Sequence, residues 1–151
     1  MSDITDIEIH KKRFTDFLVS KRMRKTPERF EILNCALNCN GHFDADLLYN
    51  LLEANGYHVS KATVYSTLEL LSEAGVVRKL LFDTHQARYE IADESHSHLI
   101  CTVCGEITEI APPGFEVKSC ADMLNGFHPS YISTCIYGIC RKCQMKKKDR
   151  K

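Results

Sequence analysis

Eight cysteines fall in this 151-residue chain, and four of them form two pairs, Cys101-Thr-Val-Cys104 and Cys140-Arg-Lys-Cys143. The C-x-x-C spacing lets a chain bend into a knuckle that presents two thiolates to one ion. Two knuckles together supply the tetrahedral four-sulfur set that suits structural zinc. Both pairs sit in hydrophilic surroundings, with Gly105 after the first and Arg141-Lys142 inside the second, which fits an ion site better than two unrelated buried or redox pairs. The interval between them is longer than in a simple zinc ribbon, so the clamp would enclose strands and a helix. Iron–sulfur ligation by the same cysteines stays open, though nothing else in the sequence calls for it. Cys35, Cys39, Cys120 and Cys135 have no matching arrangement and read as small buried hydrophobes.

A second set of donors is harder. His96-Ser97-His98 stands just before the first cysteine pair. In an extended segment residues i and i+2 project from the same side, so both imidazoles can reach one ion. Glu90 and Glu109 lie close by in sequence, and His42 precedes a helical stretch. Taken alone, a histidine such as His42 reads as a solvated or hydrogen-bonded residue rather than a ligand.

Elements must position these groups. Thr26-Pro27 is a helix start, with a threonine able to cap free N–H groups and a proline suited to the first helical position, and Phe30, Leu33 and Leu37 then share a face. A second helix should begin near Asp44, bury Leu47, Leu48, Leu51 and Leu52, and stop at Gly56. A third should run from Ser60 to Gly75, with Val64, Thr67, Leu68 and Leu71 inward and Ala62, Tyr65, Ser66 and Glu69 outward. Val76 to Phe82 and Ala87 to Ile91 are β-prone runs separated by Asp83-Thr84-His85-Gln86, which reads as a hairpin. Three helices and a hairpin make a winged helix over residues 1–92. Residues 93–151 alternate strand-like and helical stretches: Leu99 to Cys101, Glu106 to Ile110 and Tyr131 to Ile139 as strands, Phe115 to Asn125 as a helix. Lys146 to Lys151 reads as a disordered basic tail. The fold class is therefore α+β: an N-terminal winged helix followed by a small C-terminal α/β domain closed by a four-cysteine zinc site.

Bulk properties narrow the function classes. A composition 44% hydrophobic and 26% charged is that of a soluble globular chain, and no apolar run is long enough to span a bilayer. Met1 to His10 carries acids and no long apolar stretch, so the reading is a cytoplasmic protein without a secretory signal; in that compartment thiols stay reduced and serve metal or redox roles. Net charge is zero, but residues 11–29 hold eight bases (Lys11, Lys12, Arg13, Lys21, Arg22, Arg24, Lys25, Arg29) against Asp16 and Glu28. That surplus could face phosphates or simply be a solvated helix surface.

The stretch Lys61-Ala-Thr-Val-Tyr-Ser-Thr-Leu, followed by Glu90, by His96-Ser-His98-Leu-Ile-Cys-Thr-Val-Cys104-Gly and by Tyr137-Gly-Ile-Cys-Arg-Lys-Cys143, resembles the ferric uptake regulator family over nearly the whole chain. The resemblance implies that Cys101, Cys104, Cys140 and Cys143 hold structural zinc, and that His42, Glu90, His96, His98 and Glu109 form a regulatory metal site. Three nitrogens and two carboxylates suit Fe(II) or Mn(II) by hardness and coordination number, although zinc would bind more tightly in direct competition. Where many family members build a further metal site, this chain has Ser95, Ser97, Glu116 and Ile132, so that site is expected to be absent. Ser66 stands where the family usually carries arginine after the recognition-helix tyrosine. Zinc-uptake regulators usually have a cysteine at the position of Glu90, and peroxide-sensing relatives usually have aspartates at the two acid positions, so the iron-responsive reading leads.

By resemblance, residues 93–151 are the dimerisation and metal-binding domain, and the partners are double-stranded DNA with a pseudo-palindromic operator and a second copy of the chain. Tyr65 is the expected contact to a thymine methyl or the backbone, with Lys61, Thr63 and Ser66 beside it and Arg22 and Lys25 on phosphates; the alternative for Tyr65 is a ring packed on the wing. Peroxide- or manganese-responsive regulation remains open within the family. Outside it stand a metalloenzyme using the His96/His98 pair and a winged-helix protein whose one ion is structural. The expectation is not an enzyme: no nucleophile constellation, phosphate loop or deaminase signature is present.

Overall fold

Residues 4–80, 86–92, 97–110, 124–127 and 134–148 are described by the computed structural model, and they divide into two units, Met1–Ala92 and Asp93–Lys151.

The first unit is built of α1 (Ile4–Ser20), α2 (Pro27–Leu37), α3 (Ala45–Ala54), α4 (Lys61–Glu73), β1 (Val77–Leu80) and β2 (Arg88–Ile91). Helices α2 to α4 and the antiparallel β1–β2 ribbon form the winged helix. Helix α1 was not anticipated, yet its signal is in the sequence: Ile7, Phe14, Phe17 and Leu18 recur at helical spacing. Phe14 and Leu18 are fully buried, and the Phe14 and Phe30 rings lie 5.5 Å apart. The helix ends where Met23 N–H donates to Leu18 O (2.9 Å) and Arg22 N–H to Val19 O (3.0 Å), with Arg22 at φ +54. That is a double-bonded left-handed cap in which glycine is the usual occupant.

Helix α4 buries Val64, Thr67, Leu68 and Leu71, the face its pattern predicts, and closes through Gly75 at φ +71, a conformation that costs glycine no Cβ clash. Helix α3 is narrower inside than its leucines suggest. Leu48 and Leu52 are buried, but Leu47 and Leu51 are 42% and 37% exposed, because the rest of the unit covers only one i, i+4 stripe of this short helix. It begins where expected, capped by Asp44, which accepts from Leu47 N–H at 2.7 Å. Thr26, the anticipated cap of α2, makes no side-chain capping bond; Pro27 has no N–H to offer and sets the helix by its fixed φ instead.

The second unit is a sheet ordered β4-β3-β5, made of β3 (Ser97–Cys101), β4 (Ile107–Ile110) and β5 (Thr134–Gly138), followed by α5 (Arg141–Lys148). Strand β3 is antiparallel to β4 and parallel to β5. The expected helix from Phe115 lies almost wholly outside the described residues, as do the hairpin turn at 83–85, His96, Cys120 and the strand's anticipated start at Tyr131. Lys146 to Lys148 are not a loose tail but the last turn of α5, a helix nucleated at the second cysteine knuckle. Cys135 is exposed rather than buried, and Cys35 and Cys39 are half-buried at the edge of the helical core.

Two caps that look alike in sequence should separate on measurement. Asp44→Ala should cost about 1 kcal/mol of stability, whereas Thr26→Ala should leave the urea midpoint nearly unchanged; equal losses would contradict the capping geometry.

Candidate metal centres and nucleic-acid interface

The cysteine knuckles converge. Strand β3 ends at Cys101, and Gly105 at φ +74 turns the chain back, with Gly105 N–H donating to Cys101 O and Cys101 N–H to Glu106 O, both at 2.9 Å. The parallel neighbour β5 delivers Cys140 alongside, locked by Thr102 N–H to Gly138 O at 2.8 Å. One sulfur from each of the four cysteines lies within 4.8 Å of every other, and Cys104 Sγ is 3.8 Å from Cys140 Sγ. A zinc–sulfur bond of about 2.3 Å implies a tetrahedral edge of about 3.8 Å, so the sulfur array fits zinc. Cys101 and Cys143 are buried, and Lys142 Nζ pairs with Glu106 at 3.2 Å across the two knuckles.

The thiols are polarised for ligation. Backbone N–H groups of Cys104 and then Cys140 direct at Cys101 and draw its thiol down to about 6, the Cys140 bond measuring 3.3 Å. Hydrogen bonding with Cys140, followed by burial, pushes Cys143 up to about 12.

The nitrogen and oxygen donors pair within each unit. In the first, Phe43 forms an isolated bridge with Tyr89, exchanging backbone bonds of 2.9 and 2.7 Å. This sets the preceding His42 beside the following Glu90, with Nε2 3.5 Å from a carboxylate oxygen. Glu90 is buried, and the other oxygen lies 4.0 Å from Arg78 Nη1, its cross-strand partner. Arg78 was not anticipated; a base opposite a buried acid in a hairpin was the available signal. In the second unit His98, buried, stands directly opposite Glu109 in the β3–β4 ladder, and opposed side chains in an antiparallel pair share one face. His96 lies outside the described residues.

Helix α4 presents Tyr65, half-exposed, with Lys61 and Ser66 exposed and Thr63 partly so. Ser60 caps the helix, accepting from Thr63 N–H at 3.1 Å, and its hydroxyl meets Thr63 Oγ1 at 2.8 Å. The starts of α2 and α4 open on one polar depression lined by Thr26, Arg29, His58, Ser60, Thr63 and Ser66. Lys61 is held by Asp46 at 3.5 Å and by the Tyr49 ring at 5.3 Å. Arg22 and Lys25 are exposed, and their side chains have no ion pair among the described residues. By contrast Lys12 is paired with Asp16 (2.7 Å), Arg13 donates to Gly75 O (3.0 Å) and Arg29 to Arg24 O. The basic cluster therefore has a committed part and an available part.

The profile of the Ferric uptake regulator family matches residues 20–132. The chain belongs to that family. It is 36% identical over 125 residues to the peroxide operon regulator of Bacillus subtilis (strain 168), covering 82% of this chain and 86% of that protein. Among solved structures, the ferric uptake regulator of Pseudomonas aeruginosa with manganese superposes with a TM-score of 0.71 at 27% identity, covering 84% of this chain and 97% of that one. The ferric uptake regulator of Francisella tularensis with iron gives 0.63 at 31% identity, covering 81% and 95%. Membership makes the chain a metal-responsive transcriptional repressor, in a family of regulators rather than enzymes. None of the described helices is long and apolar enough to cross a membrane.

Because Cys143 must surrender its proton to ligate, zinc uptake by the metal-free chain near neutral pH should release protons, and affinity in a competing-chelator titration should fall as pH is lowered. Cys104→Ser with Cys140→Ser should abolish stoichiometric zinc by metal analysis; full retention would place the ion elsewhere.

Proposed function

We propose that this chain is an Fe(II)-activated, homodimeric repressor of iron-uptake genes, with His42, Glu90, His96, His98 and Glu109 as the regulatory ligands and Cys101, Cys104, Cys140 and Cys143 holding structural zinc. The observation that carries the reading is that each unit pairs one imidazole with one carboxylate: His42 with Glu90 at 3.5 Å, and His98 opposite Glu109. Such a donor set favours a harder, higher-coordinate ion than the four sulfurs do.

A divalent cation bound by ligands from both units would supply a cross-link between them. His42 and Glu90 would then fix the winged helix relative to the unit that carries His96, His98 and Glu109. The second copy is expected on the β3–β5 face, where Leu99, Ile136 and Ile139 are exposed and line one apolar groove, as unpaired interfaces do. Two winged helices related by a two-fold axis match a pseudo-palindromic operator. Tyr65, Lys61, Thr63 and Ser66 would meet the major groove, with Arg22 and Lys25 on phosphates. Taking a population from mostly open to mostly closed requires a differential affinity on the order of 5 kcal/mol, within reach of a site with several ligands.

Peroxide-responsive control is the second reading, favoured by the likeness to the Bacillus subtilis regulator. An anaerobic anisotropy titration on an inverted-repeat duplex, with zinc retained, tests the main one. Fe(II) should tighten binding at least about tenfold, roughly 1.4 kcal/mol of coupling, and His96→Ala with His98→Ala should lose that gain. Equal affinity with and without metal would overturn it. Hydrogen peroxide added to the iron-loaded complex separates the two readings: retained DNA supports iron sensing, and release supports peroxide sensing.

A further inference from the structure

The pair His42 and Glu90 is held by the backbone bonds of Phe43 and Tyr89, and the side chain of Tyr89 reaches the recognition helix. Strand alternation sends Glu90 and its neighbour Tyr89 to opposite sides of β2. The Tyr89 ring, 2% exposed, stacks against Phe43 at 6.3 Å between centroids. At the far end of the ring the hydroxyl donates to Glu69 Oε1 at 3.1 Å. Glu69 lies on the outward face of α4, one turn after Tyr65. The same carboxylate oxygen accepts from Lys79 Nζ of β1 at 2.9 Å.

We propose that Glu69 and Tyr89 are positioning residues that carry the restraint on His42 and Glu90 to the recognition helix, so that part of the ion's effect on DNA affinity passes through the Tyr89–Glu69 hydrogen bond. The inference rests on the regulatory-site reading above. Its physical basis is that a hydroxyl on an otherwise core-packed ring gains a charge-assisted bond, stronger than a neutral hydrogen bond and more directional than apolar contact. Helix α4 needs no acid at position 69 for packing, since its buried face is Val64, Thr67, Leu68 and Leu71. The lysine bond, then the tyrosine bond, hold the Glu69 carboxyl below its ordinary range. Any displacement of β2 at Glu90 therefore moves an acceptor fixed to the DNA-reading helix, within one unit and without a moving hinge.

Tyr89→Phe removes the hydroxyl and keeps the ring, and Glu69→Gln keeps the side chain's size and removes its charge. Each is measured in the full-length, zinc-loaded protein, by Mn(II) affinity without DNA and by DNA affinity with and without Mn(II). Mn(II) affinity and metal-free DNA affinity should stay close to wild type, while the metal-dependent gain falls at least about threefold. The double variant should lose no more than either single, because the two act through one bond. A purely structural role would instead weaken DNA binding equally with and without metal, and that result would overturn the proposal, as would a full gain in both variants. A wild type with no gain would overturn the regulatory-site reading and this inference with it, whereas a wild-type gain that both variants keep removes this inference alone.

Discussion

Two backbone hydrogen bonds between Phe43 and Tyr89 are the constraint on which the first unit turns. They attach the segment before α3 to strand β2, and so bind the helical core to the wing by main chain rather than by side-chain packing alone. Both residues are nearly fully buried, so a break would expose two aromatic rings along with four unpaired backbone groups, each costly away from water. The flanking residues inherit the geometry: His42 and Glu90 meet because Phe43 and Tyr89 do. The juxtaposition of His42 and Glu90 is thus a by-product of how the winged helix closes.

The second unit solves a different problem. Residues 93–151 are too few to bury a large core, and domains of that size commonly depend on a metal or disulfide staple. The four cysteines supply one by pinning the end of β3 to the residues that follow β5, a parallel pair whose connection has a high closure cost. By ligand hardness the two proposed sites would favour different ions: four thiolates in a tetrahedron suit zinc, whereas imidazoles with carboxylates suit a harder ion.

The sequence disclosed what depends on spacing. The cysteine knuckles, the inward face of α4 and the hairpin of the wing follow from intervals of three, four and two residues, and the structure has them. What it hid depends on partners from elsewhere in the chain. The periodicity of α1 was overshadowed by its charges, and only tertiary contact with Phe30 gives Phe14 its meaning. Leu47 and Leu51 carry the same side chain as Leu48 and Leu52, so the exposed pair could be told from the buried one only once α2 and α4 were in place. Thr26 had the right identity for a cap and makes no capping bond, while Pro27 starts the helix by its fixed φ. Arg78 and Glu69 act through cross-strand and helix-to-strand neighbours, which no local window reports.

Segregation of the two ions by ligand hardness is most directly tested by X-ray absorption on the full-length protein carrying both metals. The zinc edge should show four sulfur neighbours near 2.3 Å, and the iron edge a shell of nitrogen and oxygen alone, which loses a nitrogen in His42→Ala. Sulfur in the iron shell, or imidazole in the zinc shell, would contradict the assignment of the two sites.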